Sequence, residues 1–169
     1  QIVLPLVLSE NEEILQERKK ILFLSKTRKL TSSDEEWLNE KFKYYKVEKG
    51  NFELLLERAD IIPPSLAIAQ AAYESGWGTS RFALEGNSLF GQRTWKKNAG
   101  LIPLDREESE TFKVTKFDII RASVKAYKKN LNTHKSYENL RHERYKMRNN
   151  LEEISGLELS KYLDNYSEI

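Results

Sequence analysis

A single glutamate, Glu74, stands where an alanine-rich segment breaks at two glycines, in the stretch PPSLAIAQAAYESGWGTSRFALEGNSLFG of residues 63–91. Pro63 and Pro64 suit a helix start, since proline has no N–H to lose in the first turn and its φ is already set. Ala67, Ala69, Ala71 and Ala72 favour helix, and Gly76 and Gly78 stop it. Glu74 therefore falls in the last turn, on the face that carries Gln70, Ala71 and Ala67. The C-terminal end of a helix carries partial negative charge and disfavours a second one. If Tyr73, Trp77 and Phe82 exclude water there, desolvation raises the carboxyl pKa further. A carboxylic acid still protonated near neutral pH is what a general acid needs.

Other reactive groups are scarce. The 169-residue chain has no cysteine, which excludes disulfides, thiolate metal sites and a cysteine nucleophile. Two histidines, His134 and His142, are too few for a histidine-based metal site without carboxylate help, and no cofactor or metal is expected. An acidic run, Asp105, Glu107, Glu108 and Glu110, offers several carboxylates that spacing alone does not separate. With 28 basic against 26 acidic residues the net charge is only +2, which gives no case for nucleic acid as a partner. Residues 1–8 are apolar but too short to span a membrane and lack a basic leader region. Because the chain begins at Gln1, a removed leader is expected.

The elements that must position Glu74 read mostly as helix. Ser9-Glu10-Asn11-Glu12 fits a capping box, with an apolar face running to about Leu30. Thr31-Ser32-Ser33-Asp34 caps a second helix bearing Trp37, Leu38, Phe42 and Tyr45, and Asn51 opens a short third through Ala59. After the central helix, Thr79 or Ser80 caps a brief helix through Leu84, and Glu85-Gly86-Asn87 is a turn. Between Lys96 and Lys116 the helical period disappears, and the alternation around Phe112 and Val114 predicts an irregular arm or β-hairpin. Asp118 is then expected to cap a helix with Ile120, Val124, Tyr127 and Leu131 on its face. A break at Asn132-Thr133-His134, a helix from Tyr137 to Tyr145 and a last one from Leu157 to Tyr166 complete about seven helices around one buried helix.

The central run AQAAYESGWGTSRFALEGNSLFGQ resembles the signature of the glucosaminidases of glycoside hydrolase family 73, most closely the Bax-type branch. LPLVLSENEEILQERKKIL, RADIIPPSLAIAQ, GLIP and FDIIRASVKAYKKNLNTHKSYENLR resemble the same branch in the same order, so the likeness covers nearly the whole chain. It implies a mainly α (α+β), lysozyme-like helical domain over residues 1–169, with a small β-hairpin forming one wall of a substrate groove. The family pattern continues past Ile169, so a final helix is expected beyond it. The implied activity is cleavage of the β-1,4 bond between N-acetylglucosamine and N-acetylmuramic acid in peptidoglycan glycan strands. An extracytoplasmic location, periplasm or cell envelope, follows from that substrate.

Carried over by position, Glu74 matches the family's general acid, and Glu108 or Glu110 on the hairpin supplies a second catalytic carboxylate. Asn87, Leu89, Phe90 and Gly91 match the turn that shapes the cleft floor. Gln70, Trp77 and Gln92 join Asn87 and Phe90 as expected substrate-binding residues. Trp95 is a candidate sugar platform, and Tyr137 and Tyr166 match cleft tyrosines. Lys113 occupies a position where an acid is expected, and Arg93 one where the branch tends to carry an aromatic. A lytic transglycosylase on the same fold and a non-catalytic glycan-binding module are the alternatives. Carboxyl separation discriminates mechanisms: ~5–5.5 Å implies a retaining enzyme, ~6.5–9.5 Å an inverting one. With no second acid in reach, the substrate's own acetamido group is the nucleophile.

Overall fold

A computed structural model of the chain describes residues 2–96, 98–104, 111–163 and 166. Among these it contains eight α-helices, a 3₁₀ turn and one small sheet, so the molecule is mainly helical with a minor β component. This agrees with the lysozyme-like expectation. Helices α1 (Val3–Ser25), α2 (Ser32–Tyr44) and α3 (Phe52–Arg58) precede α4 (Pro64–Ser75) and α5 (Arg81–Gly86). Strands β1 (Arg93–Thr94), β2 (Gly100–Leu101) and β3 (Lys113–Thr115) follow, then α6 (Ile120–Thr133), a 3₁₀ turn (Lys135–Tyr137), α7 (Glu138–Asn149) and α8 (Gly156–Ser160).

Local chemistry accounts for most boundaries. Thr31, Asn51 and Ser80 accept backbone N–H groups at the starts of α2, α3 and α5, as side-chain caps do. Pro64 opens α4, and Gly76 closes it in the left-handed conformation at φ 56°. Trp77 N–H then bonds Ala72 O at 2.8 Å, satisfying a carbonyl the helix leaves open.

Four expectations are corrected. Helix α1 begins at Val3, not at the Ser9 box, because Pro5 in its first turn costs no helical hydrogen bond. Glu10 and Asn11 are buried and serve tertiary contacts instead. Asn11 donates to Ile62 O (2.9 Å) and accepts from Ile62 N (3.3 Å), while Arg121 donates to Glu10 at 2.7 Å. Asp118 does not cap α6: the cap position is Ile119, with no side-chain bond. The α6 entry is held by Asn87, whose amide donates to the carbonyls of Phe117 (2.9 Å) and Asp118 (3.2 Å). The last helix ends at Ser160, short of Tyr166. Finally, the β element is a three-stranded antiparallel sheet in the order β1-β3-β2, with Arg93 opposite Val114 and Leu101 also opposite Val114.

Two apolar clusters result. One joins Leu66, Ala67 and Ala71 of α4 to Phe90, Val124, Tyr127, Leu131, Tyr137 and Leu140. The other joins Ile21 and Leu24 of α1 to Leu38, Phe42, Tyr45 and Leu55. A buried ionic group near the start of α4 ties them together. Asp60, 1% exposed, takes a bidentate pair from Arg148 (2.5 and 2.6 Å) and lies 3.5 Å from Arg18. Arg144, fully buried, spends its donors on the carbonyls of Glu57 (2.8 Å) and Ile61 (2.8 Å) and on Asn132 (2.7 Å). The catalytic-helix candidate α4 is therefore fixed at its entry by charge and along its length by α1 and α8.

Candidate active site

Beside the C-terminal end of α4 lies a groove of about 620 Å³. Glu74, Phe90, Gly91 and Tyr166 line its base, and Gln92, Trp95, Phe112, Val114 and Thr115 line it from the sheet side. Opposite stand Ala126, Lys129, Asn130, Thr133 and His134 of α6 and its cap, with Lys46 from the loop after α2. The sheet therefore forms one wall, as expected, and α6 supplies the other.

Glu74 is half-buried, and burial raises its carboxyl above the ordinary value. Among the described residues it has no ion-pair partner that would oppose the shift. Its Oε2 lies against the backbone of Gly91, which sits at φ 61°; a Cβ at that position would be 3.0 Å from the oxygen. Only glycine meets both the left-handed backbone and the close approach without strain. An aromatic group underlies the base. Phe90 stacks on Tyr127 (centroids 4.0 Å, 9°), and Tyr166 meets Tyr127 edge-on at 6.0 Å and Tyr137 at 6.1 Å. The Tyr166 hydroxyl donates to Phe90 O at 3.0 Å, which ties down the loop of residues 88–91. Burial, and then the nearby Glu74 charge, pushes the Tyr137 hydroxyl up to about 12. Tyr127 and Tyr166 are raised by burial as well, with Glu74 a lesser cause. These phenols are neutral and present the carboxyl with a weakly polar base, while the basic residues of the lining, Lys46, Arg93 and Lys129, come from the groove walls.

Of the residues singled out from the sequence, the fold brings Glu74, Phe90, Gln92, Trp95 and Tyr166 into one groove lining. Tyr137 is buried beneath them. Trp77 is a correction: it is 87% exposed and belongs, with Asn87, to a separate apolar groove beside Ile68, Leu84 and Leu89. Tyr73 is 83% exposed. For Trp77 the reason is geometric, because Gly76 and Trp77 are both left-handed and turn the chain after α4; Tyr73, one position before Glu74 in the helix, points about 100° away from it around the axis. Water is thus kept from Glu74 by Phe90 and the tyrosines, not by Tyr73 and Trp77. Asn87 spends its amide on backbone carbonyls, and Gln70 does not line the groove; the Oε1 atoms of Gln70 and Gln92 are buried without a donor among the described residues. Glu108 and Glu110, with Asp105 and Glu107, lie outside the described residues.

Sequence reasoning passed over Tyr127, Lys46, Lys129 and Asn130. The spacing of Asn130, Thr133 and His134 along one face of α6 was a usable signal for the last of these. Among the described residues no cluster of three or more histidine, aspartate or glutamate side chains could hold a metal ion, and no helix is long and apolar enough to cross a membrane.

Comparison with known proteins places this geometry. Residues 49–167 match the glucosaminidase family, described as mannosyl-glycoprotein endo-beta-N-acetylglucosaminidase. That span runs from just before α3 to beyond α8 and contains Glu74 and the groove lining apart from Lys46. The chain is also similar to Protein bax of Escherichia coli (strain K12), 33% identical over 171 aligned positions that take in 98% of this chain. It spans 61% of the length of that relative. No solved structure matches. A half-buried, unpaired glutamate over a groove, inside a family match that covers most of the sequence, makes the chain a member of the glucosaminidase family of glycosidases.

Proposed function

We propose that residues 1–169 act as one glucosaminidase domain that hydrolyses the β-1,4 bond between N-acetylglucosamine and N-acetylmuramic acid in peptidoglycan. The observation that supports this most is the state of Glu74: partly desolvated, without an ion-pair partner among the described residues, and in the lining of a groove of about 620 Å³. In this reading the neutral Glu74 carboxyl gives its proton to the glycosidic oxygen as the C1–O bond breaks. Positive charge developing at C1 is met from the opposite face by the substrate's acetamido oxygen or by a hairpin carboxylate such as Glu108 or Glu110. Water then adds at C1 and returns a proton to Glu74. Among the described residues Glu74 is the carboxylate in the groove lining, and the hairpin carboxylates lie outside them.

Phe90, Gln92 and Tyr166 shape the floor on which the sugar rests. Trp95, 67% exposed at the sheet rim, offers an apolar ring face to a pyranose. Such a substrate lies outside the cytoplasm, and so does the site of action, in the periplasm or envelope. Digestion of purified sacculi followed by mass spectrometry tests the reaction. Reducing N-acetylglucosamine ends are expected. Anhydromuramic ends would instead make the protein a lytic transglycosylase. Glu74→Gln is expected to lower turnover by about 10²–10⁴-fold while glycan binding persists; a pure binding module has no turnover to lose.

A further inference from the structure

The α6 end of the groove differs in charge from its base. Lys46 and Lys129 both line it, contributed by the loop after α2 and by α6. Both side chains are exposed, and among the described residues neither ammonium has an ion-pair partner. Lys129 Nζ rests 4.3 Å from the centre of the Tyr44 ring, which limits its range. Lys46 is pinned more firmly. Its backbone is left-handed at φ 55°, and Arg58 fastens the turn by donating to the carbonyls of Tyr45 (2.9 Å) and Lys46 (2.8 Å). A lysine there costs about 1 kcal/mol or more that glycine would not. A turn needing only its shape would be served better by glycine or asparagine. What lysine adds is a positive charge on a residue that lines the groove.

We propose that Lys46 and Lys129 form an anion subsite that takes a carboxylate carried by the glycan. The inference rests on the glycan reading of Glu74 and refines it. N-acetylglucosamine is neutral, whereas N-acetylmuramic acid bears a lactyl carboxylate, free or extended by an acidic peptide. Two ammonium groups without an ion-pair partner among the described residues, at one end of a groove that Arg93 also lines from the sheet side and whose described acid is Glu74, recognise that difference and fix the polarity of the strand. A muramyl residue docks its carboxylate at the α6 end, with the scissile bond over Glu74.

The test uses the Glu74→Gln chain, so that ligands are bound and not consumed, and isothermal titration at low salt. Three tetrasaccharides are compared: chitotetraose, a glucosaminyl-muramyl tetrasaccharide with free lactyl carboxylates, and the same glycan bearing stem peptides. An acidic glycan is expected to bind about five- to tenfold tighter than chitotetraose, as two partly screened charge pairs allow. Preference already present without peptide assigns the lactyl carboxylate; preference seen only with peptide assigns the stem. In Lys46→Gln/Lys129→Gln, checked for an unchanged circular dichroism spectrum, the preference collapses towards unity, and 0.5 M salt does the same to the parent. Equal binding of neutral and acidic glycans overturns the subsite and leaves the glycan reading standing. So does a preference that survives the double substitution. Binding of none of the three overturns both.

Discussion

Asp60, just ahead of α4, and Glu74, in its last turn, are both carboxylates withdrawn from water, and they respond in opposite directions. Burial works against ionisation of Asp60, but the guanidinium groups of Arg144, Arg148 and Arg18 outweigh it and hold the carboxyl below its usual range. Burial acts on Glu74 with no cation to oppose it, and the carboxyl rises. Burial therefore does not decide what a buried acid does; the partner does. A carboxylate surrounded by arginines is a structural tie whose proton is unavailable. One surrounded by phenols, a benzene ring and a glycine backbone keeps its proton to higher pH, which is the state the proposed proton donor needs. The protein places one of each at the two ends of the same helix, so the tie that orients α4 is separate from the acid that α4 presents.

Exchanging either acid for its amide tests this contrast most severely. Asp60→Asn leaves buried arginines without their counter-charge and is expected to cost about 3–5 kcal/mol, read as a lower denaturation midpoint. Glu74→Gln replaces a carboxyl whose ionised form burial disfavours with a neutral amide, so its midpoint is expected to be unchanged or slightly higher while activity is lost. If Glu74→Gln destabilises the chain as much as Asp60→Asn does, the two acids play the same part and the contrast is wrong.

A second, smaller break targets the contact that keeps Glu74 in place. Gly91→Ala puts a Cβ 3.0 Å from Oε2 and strains a left-handed residue. About 1–2 kcal/mol of stability and about ten- to hundredfold in activity are expected to go. Thermal melts and initial rates measured together check that the loss in rate exceeds the loss in folded population.

Acidity and alkalinity should also divide the pair. The Asp60 contribution is fully present above the unfolded carboxyl value of about 3.9 and is lost as pH falls through its lowered folded value. The sign for Glu74 is reversed. The folded chain keeps that proton to higher pH than the unfolded chain, so stability declines as pH rises from the unfolded value of about 4.3 through the raised one. Activity is expected to show its alkaline limb at this raised value, above that of an ordinary glutamate, and a limb at the ordinary value would remove the argument for a desolvated acid. The smallest expected effect is that of Tyr166→Phe, which deletes the bond to Phe90 O at a cost of about 1 kcal/mol. The same substitution is expected to change the pH limb little, because the phenol acts on Glu74 mainly by excluding water.

Much of α4 was legible before any coordinates. Proline at its start, alanines along it and glycines after it act through backbone torsions of neighbouring residues, and the observed helix Pro64–Ser75 follows them closely. The Phe90–Gly91 turn was legible through motif resemblance. What failed did so wherever a side chain had a choice between a local and a distant partner. Glu10 and Asn11 look like a cap from their neighbours, yet they bond Arg121 and Ile62. Asp118 looks like a cap too, yet it is the Asn87 amide that secures that entry.

The sequence by itself determined where α4 begins, where it stops and that Glu74 stands in its last turn, because helix propensity and turn chemistry depend on residues a few positions apart. Tertiary structure alone decided that Trp77 leaves on the far side, that Phe90, Tyr127, Tyr137 and Tyr166 desolvate Glu74, and that Lys46 and Lys129 share its groove. Desolvation and charge depend on distance in space, and the groups responsible come from segments far apart in the chain that only the tertiary fold brings to one groove.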